Sequence, residues 1–305
     1  MRYLSGLISA LIILFLNAEA YAQCCSPGNP VAGTAAAGIV MKHNLRVVTF
    51  YRHSFSDTYY TGTKPSPDED QIGTANFNFA GAIFAYGITK RLTVETELGY
   101  FINKTKNDTI LKSKQSTSGM YNGTLSMKYC LIHSSNGLEL SLGAGAKFPF
   151  TQQPISNELG PLPEDIQPST GAFGFVGQLF IAKAFPSLQF KLIWTNRYEI
   201  NGRNLDKYKF GNAWYSSLFF SKGLGKGWVG LLQFRNENRK VDFNGETKFP
   251  STGGNVFIIS PQLSHSFGHY NVTAMFDMPV MRNLNGKQLN TKYAYSISIN
   301  RDFSL

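Results

Sequence analysis

Leu92-Thr93-Val94-Glu95-Thr96-Glu97-Leu98-Gly99-Tyr100-Phe101-Ile102 is the stretch that decides the fold. Successive side chains of an extended chain point to opposite faces, so Leu92, Val94, Thr96, Leu98, Tyr100 and Ile102 share one face while Thr93, Glu95, Glu97 and Gly99 share the other. The next two strand-like segments repeat the pattern. One sets Leu125, Met127, Tyr129 and Leu131 against Thr124, Ser126, Lys128 and Cys130; the other sets Leu138, Leu140, Leu142, Ala144 and Phe148 against Glu139, Ser141, Gly143, Gly145 and Lys147. Charge is confined to one face in all three. A soluble sandwich would turn that face outward and a membrane barrel would turn it inward, so the choice rests on what surrounds the strands.

Working outward, further strand-like segments fall at 44–55, 75–88, 170–184, 188–200, 209–222, 228–242, 254–267, 271–282 and 291–303. The links between segments alternate in length. Short ones lie at Thr89-Lys90, Ser134–Gly137, Pro186-Ser187, Gly223–Gly227 and Gly268–Tyr270, with the Gly and Asn-Gly content of tight hairpin turns. Long ones lie at 56–74, 103–119, 151–169, 201–208, 243–253 and 283–290 and are rich in Pro, Asn, Asp, Lys and Ser. An even strand count with one-sided loop asymmetry defines an outer-membrane barrel, whose short turns face the periplasm. The expected fold is therefore all-β, a transmembrane antiparallel up-and-down barrel of about 12 strands. Both chain ends then fall on the periplasmic side of the bacterial outer membrane.

The ends of the chain agree with that reading. Arg2, the apolar run Leu7–Leu16 and the small residues Ala20 and Ala22 form a signal peptide over 1–22. Residues 23–43 are then a periplasmic or lumenal amino-terminal segment, and 44–305 are the barrel. No later stretch reaches the roughly 18 apolar residues that a spanning helix needs. The last strand alternates Tyr293, Tyr295, Ile297 and Ile299 and carries the same parity to Phe303 and Leu305. It resembles the terminal strand that the barrel-assembly machinery recognises, although Arg301 interrupts the series.

Composition narrows the function classes. Only 16% of residues are charged against 14% aromatic and 29 glycines, which suits alternating strands that hide apolar surface without long apolar runs. The net charge of +10 comes without a Lys/Arg cluster or nucleic-acid motif, so no nucleic-acid partner is expected; scattered basic side chains suit lipopolysaccharide phosphates and outer-membrane lipid instead. Aromatics at the strand ends, Tyr51, Tyr59, Tyr60, Tyr86, Tyr100, Tyr129, Trp194, Tyr215, Trp228, Tyr293 and Tyr295, are expected to form girdles at the two lipid interfaces.

Seven charged residues are expected to face the lumen: Glu95, Glu97, Lys128, Glu139, Lys147, Lys191 and Arg197. A charge turned to lipid at the midplane costs roughly 2 to 4 kcal/mol, so these side chains form an internal ionic network, and rings of charge of this kind also select solutes. Cysteines of an oxidising envelope usually pair, so Cys24 or Cys25 is a candidate to reach Cys130 and pin the amino-terminal segment inside the barrel. A lipobox is not matched, because Gln23 precedes Cys24. No cofactor motif, metal site or catalytic triad is found among the scattered His43, His53, His133, His265 and His269, and no enzyme activity is expected. The acidic run Asp68-Glu69-Asp70 reads as a solvated loop before it reads as a calcium ligand set. The Asn-Gly pairs at Asn122, Asn136, Asn201, Asn244 and Asn285 read as turns or bulges.

From Leu138 to about Ile200 the order is a Gly/Ala-rich strand ending in Lys147-Phe148-Pro149, a long polar loop, and the Gly/Phe-rich stretch Thr170–Phe185. This resembles the outer-membrane channels associated with meta-pathway phenol degradation, which are similar in turn to the long-chain fatty-acid transporter superfamily. The resemblance implies passive uptake of small hydrophobic or aromatic solutes. The amino-terminal segment departs from it, being only about twenty residues long with no obvious hatch sequence, so no pathway residues carry over. The alternative is a non-transporting barrel subunit of a larger outer-membrane complex with envelope protein partners.

Overall fold

The computed structural model describes residues 38–66, 72–108, 114–158 and 160–305. Twelve long strands form the wall: β1 (Asn44–Ser56), β2 (Ile72–Gly87), β3 (Leu92–Asp108), β4 (Gly123–His133), β5 (Leu138–Phe148), β6 (Gly174–Phe185), β7 (Phe190–Asn201), β8 (Ala213–Gly225), β9 (Trp228–Arg239), β10 (Gly254–Phe267), β11 (Tyr270–Asn290) and β12 (Tyr293–Ser304). Each pairs antiparallel with its chain neighbour, and β1 pairs β12 from Asn44↔Ser304 to Phe55↔Tyr293, which closes the ring. Closure removes the free edges that an open sheet would leave unpaired in lipid.

The two faces of the strands settle which side holds the charge. On β4, Leu125 and Met127 on the outside are 50% and 52% exposed, whereas Ser126 between them and Glu95 on β3 are 1% and 2% exposed. Apolar out and polar in is the order of a membrane barrel. On the outer surface Tyr100, Tyr129, Trp194, Trp228 and Tyr295 are all exposed. Tyr59 and Tyr215 correct the expected girdle: both are buried, Tyr59 against Leu289 and Tyr215 on the inward register of β8.

The links keep their alternation but are more ordered than the sequence suggests. Residues 103–108, expected in a loop, prolong β3, and Lys114–Met120 pairs with that extension. The register between β11 and β12 ends at Asp277↔Ala294; beyond it Gly286 turns the chain at φ 66°, and residues 287–290 pair with Thr58–Thr61 rather than forming the expected irregular loop over 283–290. β6 and β8 begin at Gly174 and Ala213 rather than 170 and 209. The residues just before them are held elsewhere: Thr170 N donates to Asn122 Oδ1 (2.9 Å) and Gly211 N to Asp242 Oδ1 (2.7 Å).

At the short-turn end, Leu305 N donates to His43 O at 2.9 Å, so the carboxyl terminus lies beside the start of β1. Gly38–Val40 run against inward side chains there, with Ile39 N on Glu139 Oε1 (3.2 Å) and Val40 N on Thr93 Oγ1 (2.9 Å). The expected signal peptide, Cys24, Cys25 and the run Asp68-Glu69-Asp70 lie outside the described residues. Of the prolines inside strands, Pro279 sits beside a β-bulge between β10 and β11, and Pro261, which lacks a ladder donor, lies where the pairing of those two strands lapses between Ile259↔Met278 and Gln262↔Met275.

Candidate functional site

The lumen has two unlike walls. Inward positions of β1, β2 and the upper half of β3 are aromatic: Phe50, Phe77, Phe79 and Phe101, joined by Tyr121. Ring centroids lie 4.9 Å apart for Phe79 and Phe101 and 6.0 Å for each of them to Tyr121, in edge-on arrangements that suit ring quadrupoles. Two glycines make room. A Cβ at Gly81 would lie 2.2 Å from the Phe50 ring and one at Gly99 would lie 2.2 Å from that of Phe79, so each ring rests over the backbone of the neighbouring strand. Lys104 borders this wall, with Nζ 5.0 Å from the Phe101 centroid while it donates to Gln167 O at 2.8 Å.

The adjoining wall is ionic. Lys128 meets Glu95 at 2.7 Å, Arg197 bridges Glu97 (2.6 Å) and Glu199 (2.8 Å), and Lys147 binds Glu199 (2.9 Å) and Asn201 Oδ1 (2.5 Å). Three cations thus face three carboxylates, which offsets the cost of taking each out of water. Glu139 is half-buried at the short-turn end, where it receives the Ile39 amide, and Lys191 lies on the inward register of β7 at the same end. Those two stand apart from the paired group. Cys130 is buried, with Sγ 3.2 Å from Ile132 O.

Several members of the site were not singled out from sequence. Glu199 shares the parity of Arg197, so period two was enough to find it. Asp277 on β11 is clamped by Arg52 of β1 (2.6 Å) and Arg235 of β9 (2.9 Å), and Arg235 also holds Glu237 (2.7 Å). The Asn-Gly reading fails at two places. Asn122 and Asn201 are buried anchors: Asn122 ties Thr170, Ala172 and Ser169, and Asn201 joins Lys147 to Gly211 O. A buried amide satisfying several partners looks the same in sequence as one in a turn.

Above the ionic wall, on the long-loop side, lies a cavity of about 340 Å³ lined by Tyr121, Lys147, Glu164, Tyr208, Phe210 and Tyr215 among others. A second cavity of about 80 Å³ reaches down the aromatic wall past Phe77, Phe79 and Phe101. Tyr215 and Arg239 line both, so the two are neighbours across these side chains. Part of the roof is the segment before β6, pinned by Thr117 Oγ1 on Ile166 O (2.6 Å), by the Gln167 amide on Ile155 and Leu162, and by the Lys106–Asp165 ion pair. Tyr208 donates to Asp242 at 2.7 Å, and burial together with that carboxylate pushes its phenol far above the ordinary range. Burial, then the nearby Asp206, Asp165 and Asp242, raise the carboxyl of Glu164, against the lowering effect of its Asn204 hydrogen bond.

A closed ring with apolar side chains outside and ion pairs inside defines the class: a bacterial outer-membrane β-barrel of porin-like build. Within that class, the family described as "Putative MetA-pathway of phenol degradation" matches residues 74–300, about three quarters of the chain, and the protein belongs to it. Among solved structures, an outer membrane channel from Pseudomonas putida F1 is similar with a TM-score of 0.70 at 13% identity, covering 88% of this chain and 98% of that one. A FadL homologue from Pseudomonas aeruginosa gives 0.45 at 10% identity with 93% and 96% covered, and the translocator domain of autotransporter NalP from Neisseria meningitidis gives 0.47 at 10% with 87% and 90% covered. At 13% identity the first likeness extends to the fold. No curated protein sequence matches the chain significantly.

Proposed function

We propose that the protein is an outer-membrane channel through which small hydrophobic or aromatic solutes pass without a chemical step. The aromatic wall carries this reading. Outer-membrane pores for hydrophilic solutes have polar, water-filled interiors. Here Phe77, Phe79 and Phe101 line a cavity that adjoins the larger one under the loops, with Phe50 packed behind them in the same cluster. A nonpolar solute loses nothing by leaving water there, whereas a sugar would lose hydrogen bonds. In this reading the short turns and both termini lie in the periplasm, the long loops meet lipopolysaccharide, and the terminal strand is read by the barrel-assembly machinery.

A deletion strain should take up nonpolar aromatics more slowly than the complemented strain, and the protein in vesicles should admit sugars poorly in swelling assays. Equal uptake by both strains, or sugar entry as fast as through a general porin, overturns the proposal. The dense ionic wall favours a second reading, a non-transporting subunit of a larger complex. Stoichiometric co-purifying envelope proteins, with neither conductance nor uptake, would select it.

A further inference from the structure

The outer face of the barrel at the short-turn end carries a continuous ladder of rings and cations across four adjacent strands. Trp228 of β9 stacks on His265 of β10 with centroids 4.3 Å apart, His265 faces Phe267 at 6.3 Å, and Phe267 faces Tyr270 of β11 at 5.9 Å. Arg301 of β12 closes the series: its guanidinium carbon lies 5.0 Å from the Tyr270 centroid and 4.4 Å from that of Phe303, and it donates to Tyr270 Oη at 2.8 Å. Its Nε finds no partner among the described residues. Further round the same rim two lysines are held in one way. Lys183, near the end of β6, reaches the preceding turn at Asn136 O (2.7 Å), and Lys222, near the end of β8, reaches the preceding turn at Leu188 O.

The charged side chains turned outward on this rim have one sign, while the terminal carboxylate of Leu305 sits beside His43 at the start of β1. Lys90, Arg91 and Lys226 stand exposed in or beside the turns of this rim. The acidic side chains of this end, Glu95, Glu139 and Asp302, lie on inward registers, and Asp302 is spent on Arg46 at 2.9 Å. Rings with polar edges beside cations are suited to the boundary between acyl chains and headgroups. A ring ladder alone would fit any lipid. Cations with no acidic side chain turned outward beside them do not, because a zwitterionic ethanolamine headgroup brings its own ammonium, while a glycerol headgroup leaves its phosphodiester uncompensated.

We infer that this rim is a binding surface for anionic phospholipid, with one phosphodiester seated at Arg301 over the ladder and others at Lys183 and Lys222. The inference rests on the reading that the short turns face the periplasm, since that leaflet supplies phospholipid. On it the barrel is gripped at one depth by the headgroup layer. Ring stacking supplies the depth and the cations supply the choice of lipid.

The test is native mass spectrometry of the delipidated full chain with phosphatidylglycerol, phosphatidylethanolamine or lipid A. Wild-type protein should retain phosphatidylglycerol in preference to phosphatidylethanolamine, by about five-fold for each basic residue engaged, with the preference falling at high salt. Arg301→Gln combined with Lys183→Gln and Lys222→Gln should abolish the preference, with heat-modifiable migration on gels confirming that the variant is folded. No preference in the wild type, or one unchanged in the triple variant, overturns the inference. Tighter retention of lipid A than of phosphatidylglycerol overturns it together with the assigned orientation. Solute uptake by the triple variant should equal that of the wild type, so loss of the channel reading and loss of this one are separately visible.

Discussion

The aromatic and the ionic halves of the lumen are built on the same register rule and end in opposite chemistry. β3 belongs to both: Glu95 and Glu97 in its lower half face the ion pairs, and Phe101 above them faces the rings. An inward position in this barrel is thus not a position in bulk water. The deeply buried charges of the ionic wall are offset by pairing, and Phe50 and Phe79 lie flat because glycines on the next strand make room for them. The difference teaches that the ionic wall is sensitive to the loss of a partner, whereas the aromatic wall is sensitive to volume.

The strongest way to break the contrast is Arg197→Met. It strands Glu97 without a cation and leaves Glu199 to Lys147 alone, at a cost of about 3–5 kcal/mol in urea unfolding of the lipid-reconstituted protein. Adding Glu97→Leu should return part of that loss, because two apolar neighbours replace one orphaned charge. Loss unchanged by the second substitution would mean that the wall is not held by charge pairing. Next, Phe101→Ala should cost about 3 kcal/mol, since it empties the centre of the aromatic cluster, and should change the uptake of nonpolar solutes while leaving the ion pairs intact. Gly81→Ala should cost about 1–3 kcal/mol by driving the Phe50 ring off its seat, measurable as a lower urea midpoint.

The smallest effect lies in the loops. The carboxyl of Glu164 is held above its ordinary value of 4.5, so the fold favours the protonated form. Its contribution to stability is full below 4.5 and is lost as pH rises through the raised value. Glu164→Gln should therefore raise the melting temperature near neutral pH and leave it unchanged below 4.5. A shift of equal size at both ends of that range would remove the titration from the account.

Much of the barrel was legible because lipid is an unforgiving solvent. It forces apolar residues to every second position and forces closure of the ladder, so Leu92–Ile102 alone announced the period. The inward charges of β3, β4, β5 and β7 followed by counting. The aromatic wall did not follow, since the rings of β1 and β2 read as ordinary strand residues and tyrosines read as interface anchors. Tyr59 and Tyr215 show the difficulty, for nothing in their local sequence separates them from the exposed Tyr129. Asn122 and Asn201 show it again, because their partners lie 47–50 and 10–54 residues away in the chain.

The sequence by itself determined the twelve-strand alternation, the two classes of connection and the face on which each strand carries its charge. These are consequences of local periodicity in a two-sided environment. Only the tertiary structure decided which inward residues meet. Closing the sheet brings β1, β9 and β11 together at Asp277, sets Arg197 between Glu97 and Glu199, and gathers the phenylalanines of three strands into one wall. Pairing across a lumen depends on stagger and curvature, which are properties of the whole ring and are written in no single strand.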